Sequence, residues 1–166
     1  EEEWLNRQAP VKSYLKSLLP KNTRYSARKC EVRMLDKKIA TKFFDENHIQ
    51  GSTRGSKYFG GLFHNEVLVG AMSFGSHPRK NELVLDRLCF KQGITVVGGA
   101  SKLFKYMLAN LNVSSIISWS DNRWSAGGVY SELGFTKDAE LPPDYSYVQI
   151  KNPKCRQSKQ SQKKGN

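Results

Sequence analysis

The chain has 166 residues, 27 Lys and Arg against 15 Asp and Glu for a net charge of +12, with 38% hydrophobic and 11% aromatic residues. That length and apolar content suit one domain with a core of its own, which excludes wholesale disorder. No apolar run approaches the roughly 18 residues of a spanning helix, and the opening Glu1-Glu2-Glu3 is not a secretory leader, so neither membrane insertion nor classical secretion is expected.

Pro10 suits a first helical turn, and Val11, Tyr14, Leu15, Leu18 and Leu19 form one stripe, which predicts a helix stopped by Pro20. Residues 29–35 alternate and read as a half-buried strand. Asp36 caps a helix with Ile39, Ala40, Phe43 and Phe44 on one face, ending near His48. Residues 50–56 carry turn chemistry and read as a loop. Two apolar runs, 58–63 and 67–74, flank His64-Asn65-Glu66 as a hairpin, and residues 82–90 make a third strand. A glycine-bearing loop over 91–99 feeds a helix over 100–111, with Leu103, Phe104, Met107, Leu108 and Leu111 at helical spacing. Residues 115–119 read as a short buried strand, 123–133 as a helix weakened by Gly127-Gly128, and 145–150 as a last strand. This order predicts a single α/β (α+β) domain over 21–150 with a mixed, mostly antiparallel sheet and one parallel crossover. Residues 1–20 are expected as a linker helix. The Ser-, Gln- and Lys-rich residues 151–166 are expected as a basic tail that does not order itself.

Half of the charge lies in that tail, which holds Lys151, Lys154, Arg156, Lys159, Lys163 and Lys164 and no acid. Residues 1–150 carry 21 bases against 15 acids, and eight of those bases cluster between Lys21 and Lys42. Two separated basic segments favour an anionic partner, and nucleic acid is the commonest one. Arg28, Lys29 and Arg54, with Lys154, Arg156, Lys159, Lys163 and Lys164, are the expected phosphate contacts. Trp119, Trp124, Tyr145 and Tyr147 are candidates for base stacking. Cys30, Cys89 and Cys155 lie far apart with no C-x-x-C pair, so no metal site and no disulfide framework are expected, and a reducing cytoplasm is the expected compartment.

Val96-Val97-Gly98-Gly99-Ala100-Ser101-Lys102 joins a strand-loop unit to a helix start. Small residues there let backbone amides and the positive end of the helix dipole face an anion, with Lys102 adding charge. The spacing is neither a Walker loop nor a G-x-G-x-x-G fingerprint. The succession of strand, glycine loop, amphipathic helix and strand, followed by Tyr130-Ser131-Glu132-Leu133-Gly134-Phe135, resembles the acyl-CoA-binding half of GNAT acetyltransferases across roughly residues 30–150. In that family a Q/R-x-x-G-x-G/A loop wraps the CoA pyrophosphate; here it reads Thr95-x-x-Gly98-x-Ala100, with Thr in place of Gln or Arg. The resemblance implies acetyl-CoA or another acyl-CoA held by Thr95, Val96, Val97, Gly98, Gly99, Ala100, Ser101 and Lys102. It also implies that Tyr130 protonates the departing thiolate.

A narrower resemblance is to phage-encoded proteins in which a GNAT-like module accompanies a Vsr-like homing endonuclease. It rests on Glu46-Asn47-His48-Ile49-Gln50-Gly51, Val97-Gly98-Gly99-Ala100-Ser101-Lys102-Leu103-Phe104 and Ser118-Trp119-Ser120-Asp121-Asn122-Arg123. It implies a phage-infected bacterial cell, a fused or associated nuclease, and a role in DNA processing or modification, with no nuclease activity from this chain. Acetyl transfer needs an amine made neutral, and Glu82, Asp86 and His48 are the candidate bases. Asp121, Asn122 and Arg123, just past the predicted strand at 115–119, are candidates for the acceptor cleft. Two readings remain: an acyl-CoA-dependent N-acyltransferase, and a non-catalytic DNA-binding module that positions a nuclease.

Overall fold

The computed structural model of the chain describes residues 2–158 except 20, 21, 78–81, 112, 114 and 144. In chain order the elements are α1 (Glu2–Asn6), α2 (Gln8–Ser17), β1 (Thr23–Ser26), a single 3-10 turn (Ala27–Lys29), β2 (Glu31–Met34) and α3 (Lys37–Asn47). They continue with β3 (Ser56–His64), β4 (Val67–Ser76), β5 (Leu83–Phe90), β6 (Ile94–Val97) and α4 (Gly99–Asn110). The chain then forms β7 (Ile116–Ile117), α5 (Gly128–Glu132), β8 (Ser146–Gln149) and β9 (Asn152–Ser158).

The central sheet has the order β2-β3-β4-β5-β7. Its first three contacts are antiparallel and the last, β5 with β7, is parallel. Asn65 and Glu66 close the β3–β4 hairpin with φ of 48° and 63°, the two positive angles that a two-residue turn of matching twist requires. The crossover from β5 to β7 runs through α4, as the strand-helix-strand order predicts.

Each face of the sheet is covered by one helix. On one face Leu103, Phe104, Met107 and Leu111 pack with Leu62, Met72, Phe74 and Leu85. On the other, Ala40, Phe43 and Phe44 pack with Phe59 and Ala71. Neighbouring glycines of β3 serve the two faces in turn: a Cβ on Gly60 would lie 2.4 Å from Met107 Sδ, and one on Gly61 2.6 Å from Leu35. The strand thus gives up side chains where both helices approach closely. The architecture is a mixed α/β domain with a mostly antiparallel sheet and flanking helices, which matches the predicted class.

Several boundaries differ from the sequence reading. Ile94-Thr95-Val96-Val97, read as part of a loop, forms a strand parallel to β1, itself left unassigned; its β-branched residues suit an extended chain once a partner is present. The helix expected over 123–133 shrinks to Gly128–Glu132, because Gly127 takes φ of 78° and Asp121 organises a separate turn in which the Trp124 amide donates to the Asp121 carbonyl. The strand expected over 115–119 narrows to Ile116–Ile117. Ile39, placed on the core stripe, is 54% exposed, since α3 turns only Ala40, Phe43 and Phe44 inward. The tail reading is corrected over 152–158: β9 pairs with β8 in an antiparallel hairpin. A ladder satisfies backbone groups without a large apolar face, a route to order that composition leaves out. Lys159, Lys163 and Lys164 lie outside the described residues, as do the side chains of Lys154 and Arg156. Residues 1–20, expected as a linker, contribute two helices that dock on the domain: α2 buries Pro10 and Val11, and Arg7 pairs with Asp45 at 3.5 Å.

The α3 face gives a direct test. Phe44→Ala removes a side chain that is 1% exposed and is expected to cost about 3–5 kcal/mol, whereas Ile39→Ala changes stability by less than about 0.5 kcal/mol, read by urea unfolding.

Candidate functional site

The register between β4 and β5 contains one irregularity with consequences for the site. Ser73 pairs with Arg87 and Phe74 with Leu85, so Asp86 is an extra residue in a β-bulge. On its other side, β5 pairs with β7 only at Leu83–Ile116 and Val84–Ile117. Beyond these residues the strands part, bridged by the Ser118 hydroxyl donating to the Leu85 carbonyl at 2.8 Å. A cleft of about 620 Å³ fills the opening. Its walls are β5 from Val84 to Phe90, residues 93–96, the loop after α3, the segment with Trp119 and Asp121, and α2 through Tyr14.

The loop after α3 is held by two arginines. Arg7 donates to the carbonyls of Asp45 (2.8 Å) and His48 (3.4 Å), and Arg87 Nε donates to the Gly51 carbonyl (2.9 Å). Gly51 has φ of 69°, and a Cβ there would overlap the Arg7 guanidinium, so only glycine lets the arginine lie across the loop. His48 sits between both cations. Burial first, then Arg87 and Arg7, push its pKa down to about 3. Its Nδ1 accepts from the Gln50 amide at 3.0 Å, so the neutral ring carries its proton on Nε2. His48 lines the cleft as a donor, and its one lone-pair nitrogen is occupied, which removes it as a base.

The other candidate bases separate. Glu82 lies outside the cleft, with Oε1 accepting from Ser115 at 3.3 Å. Asp86 lines the cleft, and its Oδ2 accepts from Ser56 at 2.6 Å; burial raises its pKa, opposed by the Ser56 hydrogen bond and by Arg87. A raised carboxyl is the stronger proton acceptor once ionised. Tyr130 faces the cleft from α5, its hydroxyl donating to the Trp119 carbonyl at 3.3 Å.

Of the three acceptor-side candidates, Asp121 lines the cleft while Asn122 and Arg123 are exposed beside it. Asp121 accepts from Arg123 Nη2 (2.6 Å) and Nε (3.0 Å), and from Gln50 Nε2 at 3.2 Å. Chiefly because of the Arg123 hydrogen bonds, its carboxyl lies below the usual carboxylate range. Arg123 also reaches Glu3 at 3.3 Å, which ties the turn to α1. Trp119 and Trp124 both line the cleft, Trp119 stacked on His77 and Trp124 edge-on to Tyr14, whose hydroxyl donates to the Trp124 carbonyl. Tyr145 and Tyr147 stand apart, edge-to-face with one another on the β8 side.

Of the predicted cofactor residues, Thr95 and Val96 line the cleft, whereas Val97 and the glycine turn from Gly98 to Lys102 lie beyond its lining. Gly98 has φ of 73° and caps α4 with no side chain, so the first amides of the helix have no side-chain partner. A Cβ on Gly99 would meet the Phe90 ring at 2.8 Å. Thr95 Oγ1 accepts from Asn22 Nδ2 at 3.2 Å. Lys102, expected to add charge at an anion, donates instead to the carbonyls of Ala27 (2.9 Å) and Cys30, fastening the 3-10 turn to α4. That turn carries exposed Arg28 and Lys29, and a Cβ on Gly98 would lie 3.7 Å from Ala27 Cβ, so the two cations are neighbours of the glycine turn. Arg54 is exposed at the tip of the loop before β3.

No protein-family model matches the sequence, and no curated protein matches it. Solved structures do match. An aminoglycoside acetyltransferase from an uncultured soil metagenomic sample, in complex with trehalose, superposes with a TM-score of 0.54 at 13% identity, over 74% of this chain and 98% of that one. The chain has the fold of the GNAT acetyltransferases. An aminoglycoside N-acetyltransferase in complex with CoA matches with a TM-score of 0.50 at 11% identity, covering 73% of this chain and 95% of its own. The ribosomal-protein-alanine N-acetyltransferase of Brucella melitensis matches at 0.50 and 13%, covering 70% and 98%. Among the described residues no helix is long and apolar enough to cross a membrane.

Sequence reasoning missed Arg87, Gln50 and Tyr14 as cleft residues. Arg87 and Gln50 are reached only through the register of β5 and the fold of the loop after α3, and Tyr14 was absorbed into an apolar helix stripe.

The neutral His48 predicts a pH signature. Its folded pKa lies below its unfolded value of 6.5, so the stability it carries is present above about pH 6.5 and falls as pH drops toward 3. In His48→Gln this component, about 1.4 kcal/mol per pH unit across that window, is expected to vanish when urea unfolding is followed from pH 7 to pH 4.

Proposed function

We propose that this protein is an acyl-CoA-dependent N-acyltransferase. The observation that carries the reading is one cleft that opens where β5 and β7 part and reaches from the strand before the glycine turn to Asp86 and Tyr130. The residues fit the group: the α4 amides at Gly99, Ala100 and Ser101 have no side-chain cap, and the missing side chains of Gly98 and Gly99 let a pyrophosphate approach the backbone. Lys102 is committed to the Ala27 and Cys30 carbonyls, so the backbone amides carry the pyrophosphate. Bound there, acyl-CoA supplies the acyl group as a thioester.

The chain's own residues then have separate tasks. Asp86 takes a proton from the acceptor nitrogen as it attacks, directly or through water. The amine nitrogen forms the new C–N bond at the carbonyl carbon as the C–S bond breaks. Tyr130 gives the sulfur its proton, so thiol and amide leave neutral, and the proton held by Asp86 returns to Tyr130 through solvent. The bulge leaves Asp86 outside the β4–β5 pairing, where its amide is the candidate donor to the carbonyl oxygen.

We place the acceptor amine on a DNA base, in a phage-linked DNA-processing setting within the bacterial cytoplasm. The support is the net charge of +12, the exposed Arg28, Lys29 and Arg54, and an acceptor end walled by Trp119 and Trp124 with the ionised Asp121 beside them. Aromatic walls take a flat base, and the cations take its phosphates.

Acetyl-CoA at 100 times its dissociation constant is expected to stabilise the fold by about 2.7 kcal/mol in a thermal-shift measurement, and Gly98→Val, strained at positive φ, to abolish the shift. No shift at millimolar concentrations of any CoA thioester overturns the reading. Tyr130→Phe is expected to lower kcat by roughly 10²–10⁴ with little change in acyl-CoA affinity. For DNA, the double variant Arg28→Gln/Lys29→Gln is expected to reduce the slope of log affinity against log salt by about two; an unchanged slope removes these residues from the interface.

A further inference from the structure

Arg87 is the cleft residue that the chemistry above leaves without a task. It follows the bulge on β5, and both of its hydrogen bonds go to neutral carbonyls: Nε to Gly51 at 2.9 Å and Nη1 to Asp86 at 2.8 Å. Among the described residues no carboxylate lies within ion-pair distance of it. Arg7, Arg33 and Arg123, by contrast, lie 3.5, 2.6 and 2.6 Å from acidic oxygens. The nearest acid in sequence, Asp86, turns its Oδ2 to Ser56 instead. Asp86 is felt through space as the main opposing charge but makes no direct ion pair, Arg7 adds like charge from across the loop, and His48 between them is neutral.

A guanidinium held partly out of water without a direct ion pair is costly, and desolvation lowers the pKa of Arg87 against the opposing pull of Asp86. Here it is held in place by its Nε and Nη1, while Nη2 takes no part in either bond. A fixed, planar fork inside a cleft is suited to a carboxylate. Its position narrows the source: Arg87 stands at the bulge, within electrostatic reach of Tyr130, at the reacting end of the cleft rather than at the glycine turn.

We infer that Arg87 is the recognition residue for a carboxylate at the far end of the transferred acyl group, so that the donor is the thioester of a dicarboxylic acid. This rests on the acyl-CoA reading above, and it explains a guanidinium that an acetyl group would leave without a direct ion pair.

The test is calorimetric titration of the full chain, wild type, Arg87→Gln and Arg87→Lys, with acetyl-CoA, malonyl-CoA, succinyl-CoA and free succinate or malonate, with near-UV circular dichroism confirming the fold of each variant. One dicarboxylic thioester is expected to bind the wild type about tenfold or more tighter than acetyl-CoA, the ratio falling to about one in Arg87→Gln and surviving in part in Arg87→Lys. If Arg87→Gln does not fold, loss of most of the ratio in Arg87→Lys, where the fork but not the charge is removed, supports the inference, and an undiminished ratio overturns it. Equal affinity for the three thioesters, or a preference that persists in folded Arg87→Gln, overturns it. Arg87-dependent binding of free succinate without any thioester preference puts the carboxylate on the acceptor and overturns the assignment to the acyl group. If no CoA thioester binds, the acyl-CoA reading fails; Arg87-dependent binding of succinate or malonate then still establishes the carboxylate subsite, and its absence overturns it.

Discussion

The parallel pairing of β5 and β7 ends after two residues, and every functional feature of the molecule depends on that early parting. Two forces bring it about. The bulge at Asp86 bends β5 away from a straight ladder, and Ser118 spends its hydroxyl on the Leu85 carbonyl where a further strand bond would otherwise form. A sheet that opens at its edge exposes backbone polar groups, which are tolerable only where water or a ligand reaches them. The cleft therefore has a built-in demand for polar occupants, met on one side by the Asp86 bulge and on the other by the turn at Asp121.

Around this opening the charged groups differ in how they are answered. Asp121 is paired with Arg123 and Asp45 with Arg7. His48 resolves the conflict of two neighbouring cations by staying neutral, with its lone pair spent on the Gln50 amide. Arg87 alone among these meets only carbonyl oxygens. The same two arginines that suppress protonation of His48 also fix the loop after α3, so the electrostatics of the cleft and the shape of its rim have one cause. Asp86 is the remaining carboxylate lining the cleft, its pKa raised by burial and its Oδ2 held by Ser56.

The N-terminal helices are part of this arrangement. Arg7, Tyr14 and Glu3 reach three different segments of the domain: the end of α3, the Trp124 carbonyl and Arg123. Long-range contacts of this kind close the cleft from outside, and they stabilise loops that have little buried apolar surface of their own. The glycine turn is stabilised differently, from within, by Lys102 fastening the 3-10 turn to α4. A lysine that reads as a phosphate ligand in sequence is thereby a structural fastener.

The sequence by itself determined the two core helices, the β3–β4 hairpin, the third strand and the parallel crossover. Those features are written in local periodicity: Ala40, Phe43 and Phe44 at helical spacing, Leu103, Phe104 and Met107 likewise, and apolar runs bounded by turn residues. It also singled out Gly98 and Asp121 by turn chemistry and Tyr130 by resemblance, and the fold sets Asp121 and Tyr130 on the cleft and Gly98 at the start of α4. Only the tertiary structure decided that Ile94–Val97 is a strand, since its β1 partner lies some seventy positions earlier. Only tertiary structure, too, separated three candidate bases by burial and hydrogen bonding, leaving Asp86 at the cleft while Glu82 lies outside it and His48 has no lone pair to offer. Arg87 reads in sequence as one more base in a strongly basic chain. Its lack of a direct ion pair among the described residues is a property of register, bulge and loop closure, which no local pattern encodes.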